Sequence, residues 1–445
     1  MAVCAAAVDS AFRNTFGGGA TVEAGELRFV RAPGRVNLLG EHTDYSEGFV
    51  FPSAIDLDVV IGFRPRNDRL VRLYSADYGQ AVEFSLDRID YDTEHKWSNY
   101  FRGVASVLLK HDIIGRYGGT LRGMDAVIKG DVPEGAGLSS SAALEVASAL
   151  ALLGASGIEV RRASAGESPS PVELARLCQE AENDFVGVKC GIMDQMISAL
   201  GQAGSALFLD CRTGAYELVP LPLKGLKLVI CDTGVRRGLL QSEYNRRREE
   251  CEAGVRLIGE ILQERAGLAP HPEPGVGATP GHGTRRVIRT LRDVSRAEFE
   301  DIKEKLPPVI AKRCAHVIGE NERVLKGVGA LRNGRAEEFG ALMNESHESL
   351  RDLYEVSCEA LDRTVERARA IPGVLGARMT GAGFGGCTVN LVREESVSQF
   401  LAEVIPQGQH RAQGRHTVGD SAFSHVPRAF VVEVAEGAGP LNAGR

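Results

Sequence analysis

Four stretches of this 445-residue chain concentrate side chains that can do chemistry. The first, APGRVNLLGEHTDY at 32–45, sets Arg35, Asn37, Glu41, His42 and Asp44 around an apolar Leu38-Leu39 pair, in what otherwise reads as a strand. It is too polar for a strand and too patterned for a plain surface loop. The second, GDVPEGAGLSSSAALEVASALALLG at 130–154, runs from a strand end through glycines and serines into a helix. The helix's apolar positions Leu144, Ala147, Leu150 and Leu153 repeat every third residue. A Gly-rich turn feeding a helix N-terminus leaves several backbone N–H groups unpaired. That makes an anion site, and glycine lets a phosphate approach the backbone. The serine hydroxyls add donors, or a hard oxygen ligand for Mg2+. A capped helix after a flexible turn explains one such serine; three in a row exceed what one cap requires. This stretch is neither a GxxxxGK[ST] nor a GxGxxG motif.

In the third stretch, CQEAENDFVGVKCGIMDQMISALG at 178–201, Glu182 stands four residues after Cys178 and seven after Ala175. That spacing puts its carboxylate on the apolar stripe of a helix. A carboxylate there needs a partner, and a bound cation or an internal salt bridge would serve. Asp194 opens a new helix whose core face is Met193, Met196, Ile197 and Leu200. Asp in a first turn also favours the helix dipole with no further role. Across the intervening Gly turn, the two carboxylates suit a metal-and-base pair. The fourth stretch, GARMTGAGFGGCTVNLV at 376–392, places GAGFGG between a helix end and a strand. Its glycines permit backbone contact with a ligand or a neighbouring loop, or simply make a tight helix–strand turn. Trp97, the only tryptophan, fills a core or faces a purine. His42 reads as locally paired with Glu41, His347 as packing, and RRREE at 246–250 as a solvated helix face.

The elements that must position these residues alternate along the chain. Strand-like runs fall at 27–32, 58–63, 71–74 and 125–130, each bounded by Gly, Pro or Asp. Helical segments fall at 97–111, 139–153, 171–186 and 193–200. After the GQAGS break at 201–205, strands recur at 206–210 and 226–232. Helices follow at 241–264, 307–332 and 336–370, then strands at 387–392 and 429–434. The pattern predicts a two-domain α+β protein, residues 1–204 and 205–445, with the site between the two. The Pro/Gly-rich run 267–284 is expected to be a flexible surface insertion, and 405–426 to be irregular.

Composition sets the class. With 43% hydrophobic and 25% charged residues, the chain reads as soluble and globular, able to bury a sizeable core. A net charge of -7 argues against non-specific nucleic-acid binding. Nine cysteines without a CxxC read as free thiols of a reducing compartment. The N-terminus suits an amphipathic helix better than a signal peptide. No run approaches the ~20 apolar residues of a membrane span. The expected location is the cytoplasm.

Together the motifs resemble the GHMP superfamily of small-molecule kinases and, within it, the galactokinase family. The resemblance rests on GRVNLLGEHTDYSEGFVFP at 34–52, GAGLSSSAALE at 135–145, CGIMDQ at 190–195, SEYNRRREEC at 242–251, SHESLRDLYEVSC at 346–358 and MTGAGFGGC at 379–387. These lie in register from about 28 to 434. The resemblance implies a GHMP kinase fold with its site at the domain interface. It also implies Mg-ATP-dependent phosphorylation of the C1 hydroxyl of α-D-galactose, the entry to the Leloir pathway. By position, Asp194 would be the base, with Arg35 beside it; an Arg neighbour keeps Asp ionised. Gly135, Ala136, Gly137, Leu138, Ser139, Ser140 and Ser141 would wrap the phosphates of ATP, and Trp97 would line the adenine pocket. Ser141 and Glu182 would hold Mg2+. Glu41, His42, Thr43, Asp44, the Gly191 backbone and Tyr244 would read the sugar. Galactose and ATP are the implied partners of a monomer, with no obligate protein partner, nucleic acid or membrane. Lys189, before CGIMDQ, and Leu353, in place of an acid, depart from the family pattern. The alternatives are a kinase for a related sugar such as N-acetylgalactosamine, or a non-catalytic galactose sensor.

Overall fold

A computed structural model describes residues 5–17, 27–158, 160, 168–236, 240–265, 287–405 and 427–441. The 267–284 run, and 406–426 of the second irregular segment, lie outside the described residues. The described strands are β1 (Arg28–Asn37), β2 (Phe49–Val50), β3 (Pro52–Pro65), β4 (Leu70–Ser75), β5 (Gln80–Ser85), β6 (Met124–Gly130), β7 (Ser205–Asp210), β8 (Tyr216–Pro220), β9 (Leu226–Asp232), β10 (Val374–Thr380), β11 (Cys387–Arg393), β12 (Arg428–Val432) and β13 (Gly439–Pro440). The helices are α1 (Ala5–Phe16), α2 (Ser98–Lys110), α3 (Ser140–Ala155), α4 (Pro171–Glu180), α5 (Met193–Leu200), α6 (Leu240–Arg265), α7 (Arg296–Glu300), α8 (Pro308–Arg332), α9 (Ala336–Ser349), α10 (Glu359–Ala370) and α11 (Val397–Val404).

The strands form three sheets, ordered β13–β1–β3–β6–β4–β5, β10–β11–β9–β12 and β2–β7–β8. Among the described strands, only β4 and β6 pair in parallel. The hairpin β7–β8 follows residue 204 in sequence but pairs with β2. Helix α3 is apolar nearly all round, as a helix enclosed on most sides must be. Leu150, Leu153 and Val146 on it join Phe63, Phe101 and Ile197 in the largest core. Helix α1 covers the other face of the first sheet, where Val8 and Phe12 meet Phe29, Val60 and Val127.

Two local features aim the site. The β1–β3 ladder slips between Pro33 and Arg35, a bulge that proline, lacking an N–H, tolerates. Past the bulge, Arg35 N–H donates to the Leu138 carbonyl at 3.0 Å, tying β1 to the loop before α3. A Cβ on Gly34 would stand 2.8 Å from that same oxygen, so only glycine permits the approach. The second feature is a break in the expected 336–370 helix. Helix α9 widens into a π-turn at Leu350–Tyr354, and Glu355 takes a left-handed φ of 55° before α10 begins. No Gly or Pro marks this break, so periodicity alone misses it. The expected 171–186 helix likewise ends in a π-turn, Ala181–Val186. GAGFGG turns out to join two strands, β10 and β11, rather than a helix and a strand.

Helix α8 presents a buried polar face to residues 40–49. Glu320 Oε1 accepts from the Gly40 N–H at 2.9 Å and from the Ser346 hydroxyl at 2.7 Å, while Oε2 accepts from Arg323 Nε at 2.6 Å. His316 Nε2 reaches the Glu41 carbonyl at 3.1 Å, and Asn321 Oδ1 accepts from the Phe49 N–H at 2.8 Å. Burial pushes the Glu320 carboxyl up, but Arg323 and His316 bring it well below the usual range. Glu320→Gln is expected to lower stability to urea by about 3 kcal/mol, the cost of breaking a buried ion pair. Because the folded-state acid is depressed, its contribution is present above the unfolded pKa and lost as pH falls, so the gap to wild type should narrow on acidification. An unchanged urea midpoint would remove Glu320 from this role.

Candidate functional site

Asp194, in the first turn of α5, is the most heavily engaged acid of the site. Arg35 grips it with Nε on Oδ1 at 2.9 Å and Nη2 on Oδ2 at 2.7 Å. Arg35 Nη1 donates onward to the Gly137 carbonyl at 2.5 Å. Ser139 donates its hydroxyl to Asp194 Oδ2 and does not cap α3, which decides against the simple capped-helix reading of that serine. The Arg35 side chain is 6% exposed and that of Asp194 27%, so the pair opens to solvent on the carboxylate side.

The loop before α3 borders a cavity of about 440 Å³ lined by Tyr78, Trp97, Gly135, Ser140, Ser141 and Leu144, among others. Trp97 donates its indole N–H to Gln80 and stacks on Tyr78 at 6.1 Å and 13°. A Cβ on Gly137 would stand 2.7 Å from the Thr380 carbonyl oxygen, so the two glycine-rich turns meet backbone to backbone. Arg236, just past β9, donates to the Glu134 carbonyl at 2.8 Å and is held by Asp232 at 2.7 and 2.8 Å. This guanidinium at the loop was not foreseen. A basic residue four positions past the strand end was the only signal for it.

At the start of α3 lies a buried acid pair. Gln195 Nε2 donates to Glu182 Oε2 at 2.7 Å and to Glu145 Oε2 at 3.0 Å. Ser141 also bonds to Glu182. Burial pushes Glu182 up to about 7 and Glu145 well above the usual range. Glu145 Oε1 is buried and has no partner among the described residues. Glu145 too was overlooked, being read as part of an apolar helix. No three His, Cys, Asp or Glu side chains converge as a protein-only metal cage among the described residues.

The turn after β1 is bound on every side. The Glu41 carboxylate, 3% exposed, pairs at 2.9 Å with Arg378, whose side chain is fully buried. Burial pushes Glu41 up to about 7 against the pull of Arg378. Thr43 donates to the Gly40 and Phe49 carbonyls, so its hydroxyl closes the turn. Tyr244 packs its ring 5.6 Å from His42 and 5.2 Å from Tyr45. Asp44 and Gly191 line a second recess of about 320 Å³. A Cβ on Gly191 would stand 2.0 Å from Asp44 Oδ2, so that carboxylate rests on bare backbone. Burial and the neighbouring Asp194 charge raise Asp44 to about 6. Lys189 points away, donating to the Asn183 carbonyl.

Comparison with known proteins matches this geometry to a family. Residues 10–65 match the galactokinase galactose-binding signature, 99–202 the GHMP kinase N-terminal domain, and 328–408 the GHMP kinase C-terminal domain. A galactokinase of Chloroflexus aggregans is 47% identical over 378 residues, 85% of this chain and 87% of that protein. The chain belongs to the galactokinase family. A galactokinase of Roseiflexus sp. is 46% identical over 87% of this chain and 88% of its own length. The crystal structure of Lactococcus lactis galactokinase complexed with galactose superposes with a TM-score of 0.78 at 32% identity, covering 98% of this chain and 99% of that one. Methanococcus jannaschii mevalonate kinase, at 19% identity and TM-score 0.58 over 93% and 99%, shares the fold.

Within this galactokinase-family fold, RRREE proves not to be a wholly solvated face. Arg247 is buried and donates to the carbonyls of Tyr354 at 2.8 Å and Glu355 at 3.0 Å, holding the break after α9. Arg378 was likewise unforeseen, since one basic residue in a strand carries no sequence signal. Arg378→Met leaves Glu41 buried without its partner and is expected to cost about 3–5 kcal/mol. Adding Glu41→Gln should recover part of that loss in a double-mutant cycle read by denaturation. Additive losses would mean the two groups do not couple.

Proposed function

We propose that the chain transfers the γ-phosphoryl group of ATP to the C1 hydroxyl of α-D-galactose, with Asp194 accepting the hydroxyl proton. The observation carrying this reading is the Arg35–Asp194–Ser139 cluster, which ties the loop before α3 to the first turn of α5 and sets the Asp194 charge close enough to act on Asp44. The sugar oxygen bonds to phosphorus as the bond to the bridging oxygen breaks, and ADP leaves. Such transfer depends on positioning and on neutralising charge. Arg35 aligns the carboxylate through two parallel bonds and places a fixed positive charge beside the reacting oxygen. The loop 135–141 cradles the phosphates with its backbone N–H groups, assisted by Arg236. Tyr78 and Trp97 flank the base. Glu41, His42, Asp44, Gly191 and Tyr244 read the sugar.

Mg2+ fits the donors present. Ser141 and Glu182 are hard oxygen ligands, and Glu182 has no ion-pair partner among the described residues. Magnesium takes one or two carboxylates and completes its shell with phosphate and water, so a protein-only cage is not needed. Ser141 and Glu182 would hold it, and when bound it neutralises charge on the phosphates. The reading takes residues 1–204 and 205–445 as the two domains, each contributing to the site. It needs no second chain. The eight described cysteines are unpaired, and no described helix is long and apolar enough to cross a membrane; both suit work in the cytoplasm.

Asp194→Asn is expected to reduce galactose-dependent ADP release by at least ~10³-fold, by analogy with loss of a base and its electrostatics, while calorimetry still detects galactose. Near-normal turnover would dismiss Asp194 as base. Gly191→Ala, which collides with Asp44, should keep its fold by circular dichroism yet raise the galactose KM roughly tenfold or more, one to two lost hydrogen bonds. Acidification is the third check. Asp44, raised to about 6, must be ionised to act as a charged acceptor. At pH 5 only roughly a tenth of it is ionised, so kcat/KM for galactose should fall between pH 7 and 5. In Asp44→Asn the same interval should be flatter.

A further inference from the structure

Gln195 follows Asp194 in the first turn of α5 and is fully buried. An apolar residue would fill such a place at less cost, because a buried amide must find partners for its polar atoms. Its nitrogen finds two. One N–H goes to Glu182 Oε2 at 2.7 Å and the other to Glu145 Oε2 at 3.0 Å. An amide nitrogen carries two protons, so both are committed, and two acids set the plane of the amide. These acids come from different elements, Glu145 from α3 and Glu182 from the π-turn after α4. Glu182 Oε2 receives a further donor, the Cys190 thiol at 3.2 Å. Gln195 and Cys190 thus converge on one oxygen of Glu182, and neither engages Oε1. At the other end, Gln195 Oε1 and Glu145 Oε1 have no partner among the described residues, so the bridge is made by the nitrogen alone.

This bridge reaches the nucleotide cavity. Ser141 lines that cavity and bonds to Glu182. Ser141 and Glu145 stand four residues apart on α3, so they share one face of the helix. One rigid element therefore carries both the hydroxyl that meets Glu182 and the acid that anchors the amide meeting it. We propose that Gln195 is a positioning residue for the cation: anchored on Glu145, it fixes Glu182 Oε2 and leaves Oε1 as the arm that meets the metal of Mg-ATP. This rests on the reading that Ser141 and Glu182 hold Mg2+. A carboxylate free to turn offers either oxygen or both, whereas one with an N–H and an S–H on the same oxygen offers a single arm. Magnesium demands near-octahedral geometry, so a ligand fixed in advance suits it. Groups that orient a metal ligand in this way carry much of the metal affinity.

The test is calorimetric binding of the β,γ-imido analogue of ATP to the full chain, once with Mg2+ and once with EDTA. The ratio of the two affinities is the gain the metal brings. In the wild type Mg2+ should tighten binding, and Glu182→Gln should remove most of that gain. Gln195→Met, similar in volume but without an N–H, should cut the gain roughly tenfold while the affinities for galactose and for the metal-free analogue stay within about twofold. A merely loosened core would weaken all three. Glu145→Gln still offers Gln195 a carbonyl and should keep the gain, whereas Glu145→Met removes the acceptor and should lose part of it. A full gain in Gln195→Met, alongside a lost gain in Glu182→Gln, overturns the positioning role and leaves the metal reading standing. A full gain in Glu182→Gln overturns both. Equal losses in the two Glu145 variants would mean that Glu145 acts through its charge, against the proposal. A crystal of the wild type with Mn2+ and the analogue decides without any variant having to fold: Glu182 should meet the ion through Oε1 with Gln195 still on Oε2, and contact through Oε2 overturns the proposal.

Discussion

The bidentate pair between Arg35 and Asp194 joins residues 159 positions apart, and three segments depend on it at once. Taking a guanidinium out of water is costly unless its donors are met. Here all three nitrogens find acceptors, two on Asp194 and one on the Gly137 carbonyl. The backbone N–H of the same residue holds Leu138. So the end of β1, the loop before α3 and the first turn of α5 are tied together. The bulge at Pro33–Gly34 is what lets one strand residue face both the loop and the helix.

The turn that follows is fixed by a different means, saturation of its own polar groups. Gly40 N–H, the Glu41 carbonyl, the Glu41 carboxylate, the Thr43 hydroxyl and both His42 nitrogens all have partners. Most of those partners come from α8, β10 and the glycine turn after it, far along the chain. A turn held this way would lose little freedom on meeting a ligand, which is how preorganisation raises affinity. Asn37 stands apart. Its backbone accepts from Arg378 and is bonded by Thr380, but its buried amide has no partner among the described residues.

What the sequence made legible follows from range. Arg35, Asp194, Ser141 and Glu182 stand in dense local motifs, and most strands and helices fall where periodicity puts them. The Gly-Ser run before α3 reads correctly as a turn into a helix because its physics is local. Arg378, Glu320, Arg236 and Glu145 were illegible for the opposite reason. Each is a single charged residue in or shortly after an ordinary element, and its meaning lies in a partner long-range in sequence, such as Glu41, Gly40, Glu134 or Gln195. The breaks at Ala181–Val186 and Leu350–Tyr354 escaped because a π-turn keeps the apolar spacing nearly intact while adding one residue to the turn.

The loop before α3 carries both signs of charge in a small space. Arg236 and the open N-terminus of α3 attract an anion. Glu182 and Glu145 lie buried at the same helix start, where an approaching bare phosphate meets acids that burial already disfavours in ionised form. Burial favours the protonated form of both, and no described basic side chain pairs with them, so a cation is what would draw out their charge. A ligand that brings anion and cation together satisfies both sets at once. On the proposed reading, in which Ser141 and Glu182 hold the metal, the acids act less as a barrier than as a filter that favours a nucleotide already carrying its metal.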